Sequence, residues 1–340
     1  MTILLTGGSG AVGAAVLGKV PAGGPAERIV ALVHRGDVAA ATVAGDITAP
    51  RLGLAADVYA RLAGQITSVV HCAGATEFTA ADEVIRALNV DGTRHVLEFA
   101  ADAGARVVFA STAFVVRRDS AAPLTQSYLE TKLAAEDLVR SAGLPAAIAR
   151  IGVVMGDART GQMSRFQGLH STVDAVLRNL LPVLPFARDA VIDALPRDIV
   201  ADELLRLCAT DDHASGDGVA GAVNDAGVSE QWITAGSAAL TIGRMVELVA
   251  ERAPHLGRTV HPPRFVRPAL VDRVVRPAYI DPLPAAQRRK FANLMALASL
   301  FDDVPAFPST LPDPPTTQQL EDAFVATVDY LAASKGLVAA

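Results

Sequence analysis

Short apolar runs alternate along the chain with stretches whose apolar positions recur at helical spacing. ILLT (3–6) predicts a buried strand, GAVGAAVLGKV (10–20) a helix and RIVALV (28–33) a second strand, with PAGGP (21–25) turning between them. The rhythm continues through TVAGD (42–46), a helix over 52–64, SVVHCAG (68–74), a helix over 80–103, RVVFAS (106–111), a helix over 126–141 and AAIAR (146–150). Strands alternating with helices predict a Rossmann-type α/β fold, a doubly wound parallel sheet with right-handed crossovers. Beyond Arg150 the rhythm loosens. Helices are predicted at AVLRNLL, IVADELLRLC and TIGRMVELVAER, a strand near QWITAG, and a proline-rich tail from His261. The expected division is a Rossmann domain over 1–160, to which 190–210 return, and a substrate lobe with its tail over 161–340.

Composition narrows the classes. A chain of 340 residues, 51% hydrophobic and 19% charged, can bury a large core. A net charge of -6 without a basic cluster lacks the electrostatic footprint of a nucleic-acid or anionic-membrane binder. Cys72 and Cys208, far apart and without ligand spacing, suggest neither a disulfide framework nor a metal site. A reducing, cytoplasmic setting is expected. No basic region precedes the first apolar run, whose glycines interrupt it early, so the N-terminus reads as part of the fold rather than a signal peptide or transmembrane segment.

The glycines of LLTGGSGAVG (4–13) end the first predicted strand and open the first predicted helix. There Gly7 allows a tight turn, Gly10 a close approach of backbone to a pyrophosphate, and Gly13 close packing of helix on strand. Thr6, Gly7, Ser9, Gly10, Ala11, Val12 and Gly13 are the expected contour of a dinucleotide. The end of the second strand reads Val33, His34, Arg35, with no carboxylate for a ribose hydroxyl. Arg35 suits a 2'-phosphate, so NADPH is expected rather than NAD, with His34 beside it. Asp46, followed by Ile47, is placed to accept from the adenine amino group.

YLETK sets Tyr128 and Lys132 four apart on one helix face. With only four tyrosines and four lysines in the chain, a chance pairing at this spacing is rare. An ammonium beside a phenol is expected to lower the phenol's pKa and make it a proton donor or acceptor. FASTAF leaves Ser111 and Thr112 at the end of the fifth strand, the edge where open α/β sheets bind ligands.

Taken together, TGGSGAVG, HCAGA, NVDGT, the ST before the tyrosine, YLETK and RIGVVMGD resemble the extended short-chain dehydrogenase/reductase superfamily. The resemblance implies Thr112, Tyr128 and Lys132 as a catalytic triad with Asn89 in support. It implies that Cys72, Ala73 and Gly74 line the cofactor with Ser111 and Lys132, and that Gly152, Val153 and Val154 meet the nicotinamide amide. LVHR, HCAGATEF, STAFVV and RIGVVMGDARTGQ are most similar to its thioester-reductase and fatty acyl-CoA reductase branch, called male-sterility-like. That branch implies hydride transfer from NADPH to an acyl thioester, carried by CoA or a carrier protein, giving aldehyde or alcohol. The chain departs from it in having Ile151 rather than proline after Arg150 and about ten residues between the ST and the tyrosine helix, and no carrier or adenylation domain reads within it. Reduction of a ketone or aldehyde remains open, as does a nucleotide-sugar epimerase or dehydratase holding NAD. The oligomeric state is not readable from the sequence, and a homodimer stays open. The apolar segments RFVRPALVDRVV and FANLMALASLF read as core, or as the lining or lid of an acyl channel.

Overall fold

The computed structural model describes residues 1–19, 28–34, 36, 38, 40–76, 80–120, 122–209, 227–271, 281, 285–302 and 304–338. Seven parallel strands form one sheet: β1 (Thr2–Thr6), β2 (Arg28–Val33), β3 (Ala41–Ala44), β4 (Ser68–His71), β5 (Arg106–Thr112), β6 (Ala146–Ile151) and, after the short β7 (Val153–Met155), β8 (Val183–Leu184), β9 (Val191–Ile192) and β10 (Ala194–Pro196), the edge strand β11 (Val228–Ile233). Their order is β11-β6-β5-β4-β1-β2-β3, so that successive strands are added to one side through β3 and to the other from β4, the switch falling between β1 and β4. Ligands of such sheets bind outside the strand C-termini at that switch.

Every strand residue alternates between two cores. Ile3, Leu5, Val70, Val108 and Ala149 face the side holding α1 (Ala11–Lys19) and α7 (Arg197–Ala209). Leu4, Val69, Val107, Phe109 and Ile148 face α2 (Ala56–Ala63), α4 (Gly92–Ala103) and α5 (Pro123–Ser141). The first core runs on into the second half of the chain, through α6 (Gly168–Leu177), α8 (Ile242–Arg252) and α11 (Thr317–Ser334). There Leu169, Val173, Met245, Phe324 and Val328 are buried. Arg244 to Glu321 and Arg252 to Asp329, each a two-point ion pair at 2.7–2.9 Å, clamp α8 on α11.

Three elements differ from their predicted form. The helix expected over 52–64 begins only at α2, because Arg51 and Leu52 take left-handed φ of 54° and 58° that drive the Leu52 side chain into the core. The helix expected over 80–103 is α3 (Asp82–Arg86), a π-turn over Ala87–Asp91 and then α4. That widened turn carries Asn89, 2% exposed. α5 begins three residues early because Pro123 occupies its first turn, where a missing N–H costs nothing. Among the described residues of the tail, α10 (Ala285–Ser299), which follows the short β12 (Leu240–Thr241), β13 (Arg264–Phe265) and α9 (Pro268–Leu270), leads into buried Leu300, Phe301 and Phe307.

Candidate active site at the C-terminal edge of the sheet

The glycine turn is shaped by contacts that exclude side chains. Gly7 has φ +75°, and a Cβ there would lie 2.6 Å from the backbone of Cys72 and Ala73. A Cβ on Gly13 would stand 2.3 Å from the Gly7 carbonyl oxygen. Gly10 closes the turn by donating its N–H to that oxygen at 2.9 Å, and its own Cβ position meets nothing nearer than 3.2 Å. Ser9 is exposed on the turn, Ala11 is buried and Val12 half-buried on α1. The first-turn N–H groups of α1 have no intrahelical acceptors and lie at the positive end of the helix dipole, so the cradle fits a pyrophosphate.

Beneath it runs a chain of buried hydrogen bonds. Thr6 Oγ1 is 2.6 Å from His71 Nδ1 and accepts from the Ala73 N–H at 3.2 Å. His71 Nε2 is 3.1 Å from Thr93 Oγ1, which itself donates to the Asn89 carbonyl at 2.7 Å. The roles close consistently if Thr6 donates to Nδ1 and Nε2 carries the hydrogen. Burial and the nearby Lys132 charge push His71 down to about 3, so it stays neutral. The Thr6 hydroxyl is thus engaged in holding the Cys72–Gly74 loop. Asn89 holds the same loop from the other side: Oδ1 accepts from the Ala75 N–H at 2.8 Å, and Nδ2 donates to Thr131 on α5 at 3.1 Å.

Thr112, the last residue of β5, lies beside Tyr128, which packs against the core from α5. Burial pushes the Tyr128 phenol up to about 12, with Thr112 acting the other way. This corrects the expectation of a phenol lowered by lysine: desolvation of the phenolate outweighs its neighbours, and the tyrosine holds its proton at neutral pH. Lys132, one turn further and 7% exposed, donates to the Ala110 carbonyl at 2.7 Å over the Phe109 ring. Burial pulls it down to about 8, against Glu136 and Cys72. Cys72 is half-buried, with its thiol pushed up to about 12 by burial.

Other expected positions have specific placements. Ser111 points into the interior and donates to Glu136 at 2.6 Å. His34 is exposed at the end of β2, 3.4 Å from Asp46, whose other oxygen takes the Thr48 N–H and hydroxyl at 2.8 and 2.7 Å. Arg35 lies outside the described residues. Ile47 is buried against Gly92. Gly152, half-buried Val153 and buried Val154 follow β6, where a Cβ on Gly152 would press on Asp193 at 2.8 Å. In GDARTGQ, Asp157 Oδ1 caps its own turn and Gly161, φ +65°, abuts Ala326 of α11 too closely for any side chain.

Glu136, Asp193 and Arg117 were not singled out from sequence. Glu136 repeats the i, i+4 spacing of Tyr128 and Lys132, a signal within reach. Asp193 and Arg117 have none. Asp193, 1% exposed, accepts from the Ala235 and Gly236 N–H groups at 2.8 and 3.2 Å, and burial pushes it up to about 6. An acid whose folded pKa exceeds its unfolded value near 4 binds more protons when native, so its contribution to stability falls as pH rises from about 4 through 6. Relative to Asp193→Asn, the wild type is expected to lose about 2 kcal/mol between pH 4 and pH 7 in urea denaturation. Parallel profiles for the two proteins would refute this.

Residues 39–126 and 116–204 match the family model described as male sterility protein. The glycine betaine reductase ATRR of Emericella nidulans is 28% identical over 181 residues, which are 48% of this chain and only 14% of that protein. The terminal R domain from the myxalamid PKS-NRPS biosynthetic pathway superposes with a TM-score of 0.69 over 100% of this chain and 92% of its own, at 20% identity. UDP-glucuronic acid 4-epimerase from Bacillus cereus, in complex with NAD, gives 0.66 over 98% and 99% at 17% identity. At such identities the structures share the fold. The matched model places residues 39–204 in the male sterility protein family, and the chain's motifs and fold are of the extended short-chain dehydrogenase/reductase type of NAD(P)-dependent oxidoreductase.

Proposed function

We propose that this enzyme reduces an acyl thioester, presented on CoA or a carrier protein, with NADPH as reductant and Thr112, Tyr128 and Lys132 handling the carbonyl oxygen. The observation that carries the reading is the meeting of Thr112, at the end of β5, with Tyr128 on α5, and Lys132 buried one turn further along that helix. When bound in the glycine cradle, NADPH supplies the hydride. Tyr128, protonated at neutral pH, gives its proton to the carbonyl oxygen, and Thr112 holds that oxygen by a hydrogen bond. The Lys132 ammonium stabilises the phenolate left behind. The resulting hemithioacetal then breaks its C–S bond, releasing aldehyde and free thiol. A second hydride would give the alcohol.

The thioester reading draws on the male-sterility match and on the reductase names of the relatives. NADPH oxidation is to be measured against acyl-CoAs, acylated carrier proteins, aldehydes and ketones. Turnover of a thioester is expected; turnover of a ketone with none for any thioester would overturn the substrate class. Purified protein retaining NAD that does not exchange would favour the sugar-epimerase chemistry instead. The preference for NADPH is assigned to Arg35, in a stretch, Val33 to Arg35, that carries no acid of its own in the sequence. Arg35→Glu is expected to lower the NADPH-to-NADH ratio of kcat/KM about a hundredfold, and an unchanged ratio would remove Arg35 from the site. A cytoplasmic enzyme is the setting this reading proposes. Among the described residues no helix is long and apolar enough to cross a membrane.

A further inference from the structure

Tyr128, Lys132 and Glu136 follow one another at intervals of four on α5, and the last is the most enclosed, at 0% exposure. Its carboxylate is the hub of a buried cluster. Oε1 accepts from Ser111 at 2.6 Å and from Arg150 Nε at 3.1 Å; Oε2 accepts from Arg150 Nη2 and Arg140 Nη2, both at 2.7 Å. Arg150 also reaches Glu230 at 3.0 Å and lies over the Trp232 ring, while Arg140 reaches Glu230 at 2.8 Å. Ser111 immediately precedes Thr112, Arg150 stands at the end of β6, and Glu230 belongs to β11. One side chain therefore ties the helix bearing the tyrosine and lysine to β5 and β6, and through the two arginines to β11, beside the strand residue that holds the substrate oxygen.

The cluster's ionic groups cancel, two carboxylates against two guanidiniums, which is how buried charges are tolerated. Their order along α5 is uneven, however. Glu136 is one turn from Lys132, about 6 Å along the axis, whereas Arg140 is two turns away. Burial raises Glu136, but Arg150, Ser111 and Arg140 outweigh it and hold the carboxylate below its usual range, so it is charged whenever the enzyme works. Lys132 is otherwise faced by the neutral His71 and the Cys72 thiol from β4 and its loop and by the Phe109 ring from β5, with Tyr128 one turn before it on its own helix. Glu136 is the one anion among these groups.

We propose that Glu136 is a positioning residue of the active site: its carboxylate sets the seat of α5 against β5 and supplies the negative charge that keeps the buried Lys132 an ammonium. The inference rests on the catalytic reading above for its effect on turnover, but its electrostatic half can be read without turnover. The chain has four lysines, at 19, 132, 290 and 335, so 13C-labelled lysine gives a resolvable set in which the Lys132 signal is the one missing from Lys132→Arg.

In Glu136→Gln the Lys132 titration midpoint is expected to fall by about one pH unit, and the alkaline limb of kcat to fall with it. Glu136→Asp should restore part of both shifts, and NADP affinity should stay within about twofold. Ser111→Ala leaves the carboxylate in place but unseats it from β5; it should keep the Lys132 midpoint and lower kcat about tenfold with KM unchanged. A folded Glu136→Gln with an unmoved Lys132 midpoint overturns the proposal. If that variant does not fold, an unchanged kcat in Ser111→Ala overturns it equally. Loss of the catalytic reading would show separately, as wild-type activity in Tyr128→Phe.

Discussion

Tyr128→Phe is expected to lower kcat about a thousandfold while NADPH affinity stays within about twofold. The ring packs against the core beside α5, and phenylalanine keeps that packing, so the loss isolates the hydroxyl. With the phenol gone, Thr112 still offers a hydrogen bond to the carbonyl oxygen, but nothing at that position transfers a proton. Thr112→Val should cost less, about a hundredfold, because it removes orientation and one hydrogen bond and leaves the proton donor. Single-turnover NADPH oxidation separates chemistry from product release and measures both. A Tyr128→Phe enzyme with wild-type turnover would remove Tyr128 from the reaction and, with it, the proposed mechanism.

What could be read from the sequence depended on how local the determining interactions are. The sheet was legible because a parallel strand buried on both faces reads as a near-continuous apolar run, as in the middle of SVVH and the AAIA of AAIARI, and the helices between them repeat at helical spacing. The glycine turn, the strand-end Thr112 and the Tyr128–Lys132 pair are each set by a few neighbouring residues. Asn89 came only through resemblance: no periodicity announces a π-turn, which exists because Asn89 must reach both Ala75 and Thr131. Arg117 was invisible for a different reason. It is 7% exposed, donates to the Leu300 and Pro305 carbonyls at 2.6 and 2.7 Å and stacks on Phe307, contacts with residues more than 180 positions away. Those bonds fasten the tail over the loop that follows Thr112, as do Ser299 at the start of α5 and Thr310 on β11. The tail's apolar segment FANLMALASLF was open to a lid or a core reading, and its buried Ala296, Ala298, Leu300 and Phe301 pack as core.

Gly13→Ala and Gly10→Ala should fail in different ways, and the difference tests the cradle more sharply than either alone. A methyl at Gly13 would overlap the Gly7 carbonyl oxygen at 2.3 Å and its carbon at 2.8 Å, backbone atoms that cannot rotate away. Relief requires α1 to lift from the end of β1, carrying Ala15 and Val16 partly out of the core. About 3 kcal/mol of stability should be lost, together with about a hundredfold in NADPH affinity, because the N-terminus of α1 moves with the helix. At Gly10 the same methyl meets only the Gly7 oxygen at 3.2 Å, a contact that a few tenths of an ångström relieve. The fold should lose less than about 1 kcal/mol, and Gly10 already has φ in the range open to alanine. Affinity should nevertheless fall about a hundredfold, since the methyl occupies the face that a pyrophosphate must approach. Urea denaturation and fluorescence titration with NADPH measure the two quantities independently. Equal stability losses in the two variants would refute the tight turn at Gly13, and undiminished affinity in Gly10→Ala would move the phosphates away from this turn.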